Sequence, residues 1–580
     1  MGHAERMTMT GIRTSRFGPW LAIMPMLGLL AFVFAWPILL AFQQSFSGPD
    51  PLQSYRALLD SSFLIVLRRT ILYALLVTVG CVLLGTPIAY ALIRLRGWAR
   101  GLLMASILLP FFAGSLMRSY AWLAVLGQHG LLNSVLVPLG LVDSPLELAY
   151  TFPGLIAASI QVELPIFVLP AYSVMRQFDR KLLTAARSLG ADPVTAWFTI
   201  FLPAQRLGIA TSVALVFLSS LGFYVTPVLL GPPSAYLLSQ ELEVRINTLG
   251  DPSGASARII VMLAMIALVL LVLARIRALA DRQRRTARGS IALAVGRVLE
   301  RLAWAMAPGR WWLLAIPIGA LTLLSLVSQL IIVPLALSGG DYLNFPPSSL
   351  SGRWIQEYLV DPDLGDATRY SLGITLVAAL AATVIGGAAA LASLTLSRRA
   401  SGLVTLLSGV PLVVPSILIA AGLFLATLHL PVAPTMAFVL IFTALGLPLS
   451  FLVIRASAAR IDPQLARAAA SLGAGPATTA WTVLVPLLVP ALATGFLFAF
   501  LSGFDDISVG LFFSTSDTMP LAMKLWDRLR DSVSPLPAAV ALVAGLGAMA
   551  LILIARAVFH FWRSRRSHYL RPGAALTKRI

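Results

Sequence analysis

Long runs without a charged side chain recur along the whole chain, and they constrain its fold more than any other feature. A bilayer core of about 30 Å is crossed by about 20 apolar residues of helix. Eight runs reach this length: 19–49, 70–93, 207–240, 311–340, 370–397, 400–454, 468–504 and 532–555. Three shorter runs reach it when polar residues at their ends are included: 101–117, 148–162 and 259–274. The run 400–454 is too long for one helix and divides at HLPVAP (429–434), so we predict an all-α integral membrane protein with twelve transmembrane helices.

The distribution of basic residues predicts the orientation of these helices. The chain is 58% hydrophobic and 12% charged, which excludes an ordinary soluble domain, and its net charge is +19. If the N-terminus is cytoplasmic, the segments on that side carry 32 of the 43 lysines and arginines. This is the positive-inside pattern, so we predict that both termini are cytoplasmic. The basic charge then indicates contact with membrane lipid, and nucleic acid is not expected as a partner.

A polar segment occurs twice. AARSLGADPVTAWFTIFLP (185–203) is followed 283 positions later by AAASLGAGPATTAWTVLVP (468–486), and 11 of the 22 positions from 182 to 203 are identical to their counterparts. Upstream the offset is 301, so the first half has 18 extra residues, which we assign to 127–147. Six spans in each half give both halves the same orientation, so the sequence predicts two parallel six-helix repeats.

The repeat predicts the following domains. A first domain, 1–277, contains six helices and the loop 176–206, and a second, 311–556, contains six helices and the loop 456–488. A basic cytoplasmic linker, 278–310, joins them, and a basic cytoplasmic tail, 557–580, follows.

Each repeated loop predicts two short helices with a bend. Gly190 and Gly473 interrupt an alanine-rich segment, and glycine tolerates the positive φ that a tight turn requires. A second segment closes at Pro203 in one copy and Pro486 in the other. A simple connection needs only a few residues. Two loops of about thirty residues therefore indicate a docking element for a two-fold partner.

The order Ala-Ala-x3-Gly-x9-Ile-x-Leu-Pro resembles the coupling loop of permease subunits in ATP-driven (ABC) importers. Val483 and Val485 replace Ile and Leu in the second copy, and Thr184 and Arg467 stand where the family usually has Glu. The resemblance implies the type I importer permease fold and a multi-pass protein of the bacterial inner membrane. It also implies contact with two copies of a cytoplasmic ATPase subunit and with a periplasmic or extracellular solute-binding protein. The residues that would contact the ATPase are Ala185, Ala186, Gly190, Pro203, Ala468, Ala469, Gly473 and Pro486.

The chain is not expected to be an enzyme. Its three lysines, Lys181, Lys524 and Lys578, do not follow glycine, so a phosphate-binding Gly-x4-Gly-Lys loop is absent from the sequence. No catalytic residue, metal or cofactor is predicted in this chain. ATP and Mg²⁺ are expected on the partner subunits.

Two segments narrow the range of importers that the chain resembles. Residues 108–127 are similar to the first membrane subunit of spermidine/putrescine importers, and residues 502–539 are similar to its partner subunit. The chain then resembles a fusion of the two, and a polyamine or similar cation is the expected substrate. Permeases for ferric iron, thiamine, opines or aminoethylphosphonate remain alternatives. A secondary transporter with parallel halves is a further alternative, which would not need the repeated loops.

Several buried polar and aromatic residues are candidates for the substrate path. Asp505 and Asp506 end an apolar run, whereas the first half has Gly222 and Phe223 at those positions. Carboxylates at membrane depth are costly, so these residues and Glu163 are predicted to face the path; a helix cap or an ion pair is the alternative. Aromatic rings can pack against ammonium groups, although tryptophan and tyrosine also anchor proteins at membrane interfaces. The aromatic candidates are Trp122, Tyr224 and Trp526. Arg118 is expected to meet the external binding protein or lipid headgroups.

Overall fold

The computed structural model of the chain describes residues 18–47, 50–112, 114–179, 181–191, 196–234, 236–285 and 312–547. The predicted tail, 557–580, and most of the predicted linker lie outside these residues. Within them the regular structure is helical, apart from one isolated antiparallel bridge between Ser338 and Leu350.

The main helices form two series of nine. The first series is α1 Gly18–Gln44, α2 Ser61–Arg94, α3 Gly97–Phe112, α4 Ser115–Leu126, α5 Phe152–Met175, α6 Lys181–Ser188, α7 Arg206–Leu221, α8 Leu238–Asn247 and α9 Pro252–Arg285. The second is α10 Trp312–Leu330, α11 Pro362–Ser393, α12 Arg398–Ser408, α13 Ser416–Thr427, α14 Pro434–Ala458, α15 Pro463–Ser471, α16 Val485–Phe504, α17 Leu521–Asp531 and α18 Leu536–Gly547. From α2 onward, adding 301 or 283 to the first residue number of a helix gives, within a few residues, the first residue of the helix nine places later. This is what the sequence repeat predicts.

Among the described residues, seven helices are long and apolar enough to cross a membrane. An eighth span is obtained if α3 and the segment Ser115–Leu136 are counted together, although they meet at a bend of 108°. Four shorter apolar helices, Arg206–Leu221, Thr322–Ala336, Ser416–Thr427 and Leu536–Gly547, would have to cross as well to give twelve. Twelve spans therefore stays a prediction.

Local sequence signals explain where several helices start and stop. The Asp60 carboxylate accepts a hydrogen bond from the Ser61 N–H, and the Asp361 carboxylate accepts from the N–H groups of Asp363 and Leu364, so related aspartates cap α2 and α11. The HLPVAP segment separates α13 from α14, whose first residue is Pro434. Proline suits the first turn of a helix, where its missing N–H has no intrahelical role. The predicted division of the run 400–454 is confirmed.

The first helix of each half packs on the other half. The Gly18–Leu30 part of α1 contacts α11, and α10 contacts α3 and α4. Ile23 and Met26 of α1 are fully buried. The halves defined by sequence are therefore interlocked in space.

The second segment of the second repeated loop differs from the prediction, because it does not close at Pro486. The corresponding segment of the first loop ends at Ala204, one residue after Pro203. After the short helix Pro476–Thr479, a π-helical turn, Ala480–Leu484, continues directly into α16 and includes Pro486 in the first turn of that helix. Pro203 likewise follows a π-helical turn, Trp197–Phe201. Proline removes a backbone donor and crowds the preceding turn, and a wider π turn accommodates both effects.

The orientation can be tested with reporter fusions. We expect fusions after residue 240, in α8, and after residue 290, in the predicted linker, to report opposite sides of the membrane, because α9 lies between these positions. Alkaline phosphatase and fluorescent-protein activity are the measurements. The same side for both would contradict the predicted topology.

Candidate functional site

The two repeated loops present matching geometry. An Asp179 carboxylate oxygen accepts from the Lys181 N–H at 2.9 Å, and an Asp462 oxygen accepts from the Gln464 N–H at 2.9 Å. These contacts fix the first turns of α6 and α15. Gly190 has φ 90° and Gly473 has φ 84°, so each loop turns through a left-handed residue, as predicted. A side chain at either glycine would meet no neighbouring atom within 4 Å, so the need for glycine comes from the backbone and not from crowding.

Each bend presents a leucine that the sequence analysis did not identify. Leu189 and Leu472 are both 88% exposed, although leucine is an apolar side chain. They precede the two glycines in the repeated tripeptide Ser-Leu-Gly, which was the available signal. Of the predicted alanines, Ala185 and Ala468 are exposed and Ala186 is buried. Each bend therefore exposes a leucine together with an alanine, and the predicted role of these residues in binding the ATPase stays a prediction.

The helices that lead into the loops are tied to their neighbours at repeat-related positions. In the first half Arg100 of α3 donates to the Tyr172 hydroxyl of α5. In the second half Arg455 of α14 donates to the Ser401 hydroxyl of α12 at 2.9 Å. Residues 100 and 401 are counterparts in the repeat, as are residues 172 and 455. The arginine therefore lies on the earlier helix of the pair in the first half (α3) and on the later helix in the second half (α14). In each half, the helix that leads into the loop is therefore joined to a neighbouring helix by a side-chain hydrogen bond.

Asp505 lies at a contact between the halves. Its Oδ2 accepts hydrogen bonds from the backbone N–H of Ser115 and, at 3.1 Å, from the Ser115 hydroxyl, 390 positions away in the chain. The carboxylate therefore caps α4 of the first half, where the helix dipole favours negative charge. Gly114 precedes α4 with φ 77°, and a Cβ at that residue would fall on the Asp505 carboxyl group. Glycine is required at 114 both for its backbone and for this close approach.

A second carboxylate lies near the same place. Glu163 is 1% exposed, and its Oε1 accepts from the Ser219 hydroxyl of α7 at 2.9 Å. Its Oε2 is buried and has no hydrogen-bond partner among the described residues. Buried polar atoms are normally paired, so this oxygen is a candidate ligand-binding atom.

Arg118 is partly buried and binds the backbone of its own half, so its predicted contact with lipid headgroups or a binding protein stays a prediction. It donates to the carbonyl oxygens of Gly114 at 2.9 Å and Val162 at 2.8 Å. The apolar run 101–117 does not form one straight helix: the chain bends between α3 and α4, and Arg118 lies in the first turn of α4. Its guanidinium interacts electrostatically with both Glu163 and Asp505.

Asp506 has a local role. One carboxylate oxygen accepts from the Val509 N–H at 3.1 Å and so caps the turn that follows. The alternative that these aspartates cap helices therefore describes both of them. Asp505 caps a helix of the other half, and Asp506 caps a turn in its own half. That Asp505 and Asp506 face the substrate path stays a prediction.

The repeat-related contact on the opposite side is apolar. Gly222 is the counterpart of Asp505, and Pro415 is the counterpart of Gly114. A Cβ at Gly222 would fall on the Pro415 ring. The two halves therefore touch twice in the same manner, once through an aspartate against a glycine and once through a glycine against a proline.

Two predicted aromatic residues meet across the halves. The rings of Tyr224 and Trp526 lie 5.7 Å apart between centroids, at 52° to each other. Trp526 of α17 is fully buried, and its Nε1 has no partner among the described residues. An ion pair between Arg528 and Asp361 at 2.5 Å joins α17 to the start of α11 and so positions the tryptophan. Burial raises the pKa of the neighbouring Asp527 carboxyl group, while nearby basic side chains oppose the rise.

Trp122 is separate from this pair. It is 2% exposed and donates from Nε1 to the Gln161 side chain at 2.7 Å, which holds α4 against α5. The described residues contain no group of three or more His, Cys, Asp or Glu side chains that could hold a metal ion.

Comparison with known proteins identifies the architecture. Residues 81–286 and 355–567 each match the family described as "Binding-protein-dependent transport system inner membrane component". Over 222 residues the chain is 33% identical to the spermidine/putrescine transport system permease protein PotB of Escherichia coli (strain K12), covering 38% of this chain and 80% of that protein. It is 28% identical over 251 residues to the inner membrane ABC transporter permease protein YdcU of the same organism, covering 41% of this chain and 79% of YdcU. It is 31% identical over 168 residues to the molybdenum transport system permease protein ModB of Azotobacter vinelandii, covering 29% of this chain and 73% of ModB.

Proposed function

This chain belongs to the family of binding-protein-dependent transport system inner membrane components, with two permease domains in one polypeptide, and on that premise we propose that it forms the complete translocation path of an ABC importer for a polyamine or similar small cation. It is a multi-pass inner membrane protein and not itself an ATPase. In this proposal an external binding protein delivers the substrate, and two copies of a cytoplasmic ATPase drive its passage.

The two loops support the proposal of two ATPase copies. Each presents an exposed leucine beside a left-handed glycine, and the tripeptide Ser-Leu-Gly at the bend is the same in both copies. Equivalent surfaces call for equivalent partners. The ties from Arg100 to Tyr172 and from Arg455 to Ser401 lie close to the loop ends of α5 and α14, where closure of the ATPase dimer would be transmitted.

The observation that carries the choice of a cation is the excess of acid where the halves meet. Among the described residues, the basic group that interacts with two of these acids, Asp505 and Glu163, is the guanidinium of Arg118, whereas Asp506 adds a third carboxylate. Carboxylates in a low-dielectric site require positive partners or protons. A substrate with one or more ammonium groups would balance this charge, and the Tyr224 and Trp526 rings would accept its aliphatic and ammonium parts.

The alternatives are distinguishable by charge and coordination. Ferric iron, thiamine, an opine or aminoethylphosphonate would use the same architecture, and one similar protein is a molybdenum transport system permease. The proposal also includes twelve membrane spans and a cytoplasmic location for both termini. The secondary-transporter alternative gives no role to the repeated loops.

Uptake by the assembled importer tests the substrate class. We expect vesicles containing this chain, its ATPase and its binding protein to accumulate putrescine or spermidine in an ATP-dependent manner. Ferric iron, thiamine, aminoethylphosphonate and molybdate are measured in parallel. Transport of an anion without transport of a polyamine would contradict the proposed substrate and leave the family assignment unchanged.

A further inference from the structure

We infer that the contact between Asp505 and the start of α4 is a latch between the halves, which an ammonium group of the substrate releases by taking the Asp505 carboxylate from Ser115. The inference rests on the proposed cation transport and extends it to the control of the path. Gly114 and Ser115 are then positioning residues for the carboxylate that recognises the substrate.

The geometry makes this contact specific. Ser115 offers two donors to one carboxylate oxygen, its backbone N–H and its hydroxyl, and both are partly buried. Gly114 leaves the space that the carboxyl group fills. Hydrogen bonds to a charged acceptor are stronger than those between neutral groups, and a helix N-terminus adds to them. The halves cannot separate at this point while the contact is intact.

The repeat gives an internal comparison. At the related contact, Gly222 packs on Pro415, and the carboxylate that interacts with Ser416, the counterpart of Ser115, is Asp506 of the same half. An ammonium ion that took Asp506 from Ser416 would therefore break a contact within the second half. Of these two repeat-related contacts, only that of Asp505 joins the halves through a carboxylate.

Two neighbouring side chains, those of Arg118 and Glu163, favour the exchange of the hydrogen-bond donors that contact Asp505. Arg118 directs its donors to the carbonyl oxygens of Gly114 and Val162, so it does not form a direct ion pair with Asp505 in the structure. The Oε2 of Glu163, which has no hydrogen-bond partner among the described residues, supplies a second acceptor near Arg118. A diamine or polyamine, which carries separated ammonium groups, could therefore replace the Ser115 donors and use the second carboxylate as well.

The test is the ATPase rate of the complete complex in nanodiscs, with and without putrescine-loaded binding protein. Ser115→Ala removes the hydroxyl donor and keeps the backbone N–H. We expect it to raise the rate without substrate by about tenfold, because loss of one hydrogen bond to a charged acceptor shifts the closed state by about that factor. Half-maximal stimulation should also need less putrescine, which a general loss of stability would not produce. The matched control is Ser212→Ala on α7, a buried serine whose hydroxyl has no partner among the described residues.

A cross-link provides an independent readout. In a Cys81→Ser background, Ser115→Cys with Asp505→Cys should hold the latch closed when oxidised and open it when reduced. We expect a low ATPase rate under oxidation and a high rate after reduction. An equal rate in both conditions, or an unchanged basal rate in Ser115→Ala, would overturn the latch without affecting the polyamine assignment. If Ser115→Ala raises the basal rate but the wild type transports no polyamine, release by an ammonium group is overturned together with the proposed substrate.

Discussion

Replacing Asp505 and Asp506 together by asparagine is expected to abolish uptake of a polyamine, while the complex still assembles with its ATPase and hydrolyses ATP. Asparagine keeps the size of the side chain and an oxygen that can accept from the N–H groups of Ser115 and Val509. It removes two negative charges that a dehydrated cation would otherwise use in place of water. The measurement is initial uptake of labelled putrescine in vesicles, for which we expect a fall of at least about a hundredfold, on the order of two buried charge-assisted contacts.

The matched control is Asp366→Asn. Asp366 is a carboxylate on α11 with a 72% exposed side chain, and it pairs with Arg369 on the same helix. We expect this variant to transport at the wild-type rate, because an exposed ion pair contributes little. The single variants should differ from each other: Asp505→Asn disturbs a contact between halves, whereas Asp506→Asn disturbs a local cap. Undiminished putrescine uptake by the double variant would refute a cation path at this position.

Replacing both loop glycines by valine is expected to prevent stable binding of the ATPase subunits. Gly190 and Gly473 have positive φ, a conformation that a β-branched residue adopts only at a cost of about 1–3 kcal/mol at each site. The open space around both glycines means that the strain is relieved by changing the bend and not by moving a neighbour. Each exposed leucine would then be misdirected. Co-purification of the ATPase and substrate-stimulated ATP hydrolysis are the measurements, and we expect a loss of tenfold or more in both, in line with about 1.4 kcal/mol or more of lost docking energy.

Gly140→Val is the control for backbone strain alone. Gly140 has φ 65° and equally open surroundings, but it lies in the segment 127–147 on the other side of the predicted topology. The variant should bind the ATPase normally. If the loop variants also co-purify with the ATPase and transport at full rate, the loops are not the coupling device. The predicted contacts at Ala185, Ala468 and their neighbours would then need another explanation.

Much of the architecture was predictable because it is encoded locally. Offsets of 283 and 301, read from the residues alone, align most helix boundaries of the two series. The proline-rich segment 429–434 and the glycines at 190 and 473 have the same conformational effect in any context, so their roles followed from residue type. The continuation of the loop into α16 was missed, since a π-helical turn has no simple sequence pattern.

Contacts between the halves were less predictable because they depend on packing over long separations. Asp505 was identified from its cost in an apolar run, but its partner Ser115 lies 390 positions away. The contacts of Arg118 with the Gly114 and Val162 carbonyl oxygens were missed because the break at Gly114 was not recognised. The available signal was the alignment of Gly114 with Pro415, two residues that both interrupt a helix. Whether Glu163, Trp122, Tyr224 and Trp526 line the path stays a prediction.

The exchange of first helices between the halves has a consequence for how the protein is synthesised. The α1 face that carries Ile23 and Met26 packs on α11, which begins more than 300 residues later. At a synthesis rate of about 5–20 residues per second, α1 waits roughly 15–70 s for this partner to emerge from the ribosome. During that time the first half is inserted but incomplete, and its apolar face is covered by lipid. Final folding is therefore post-insertional: release of α1 from lipid onto α11, and the reciprocal docking of α10 on α3 and α4, are late steps that only a full-length chain can complete.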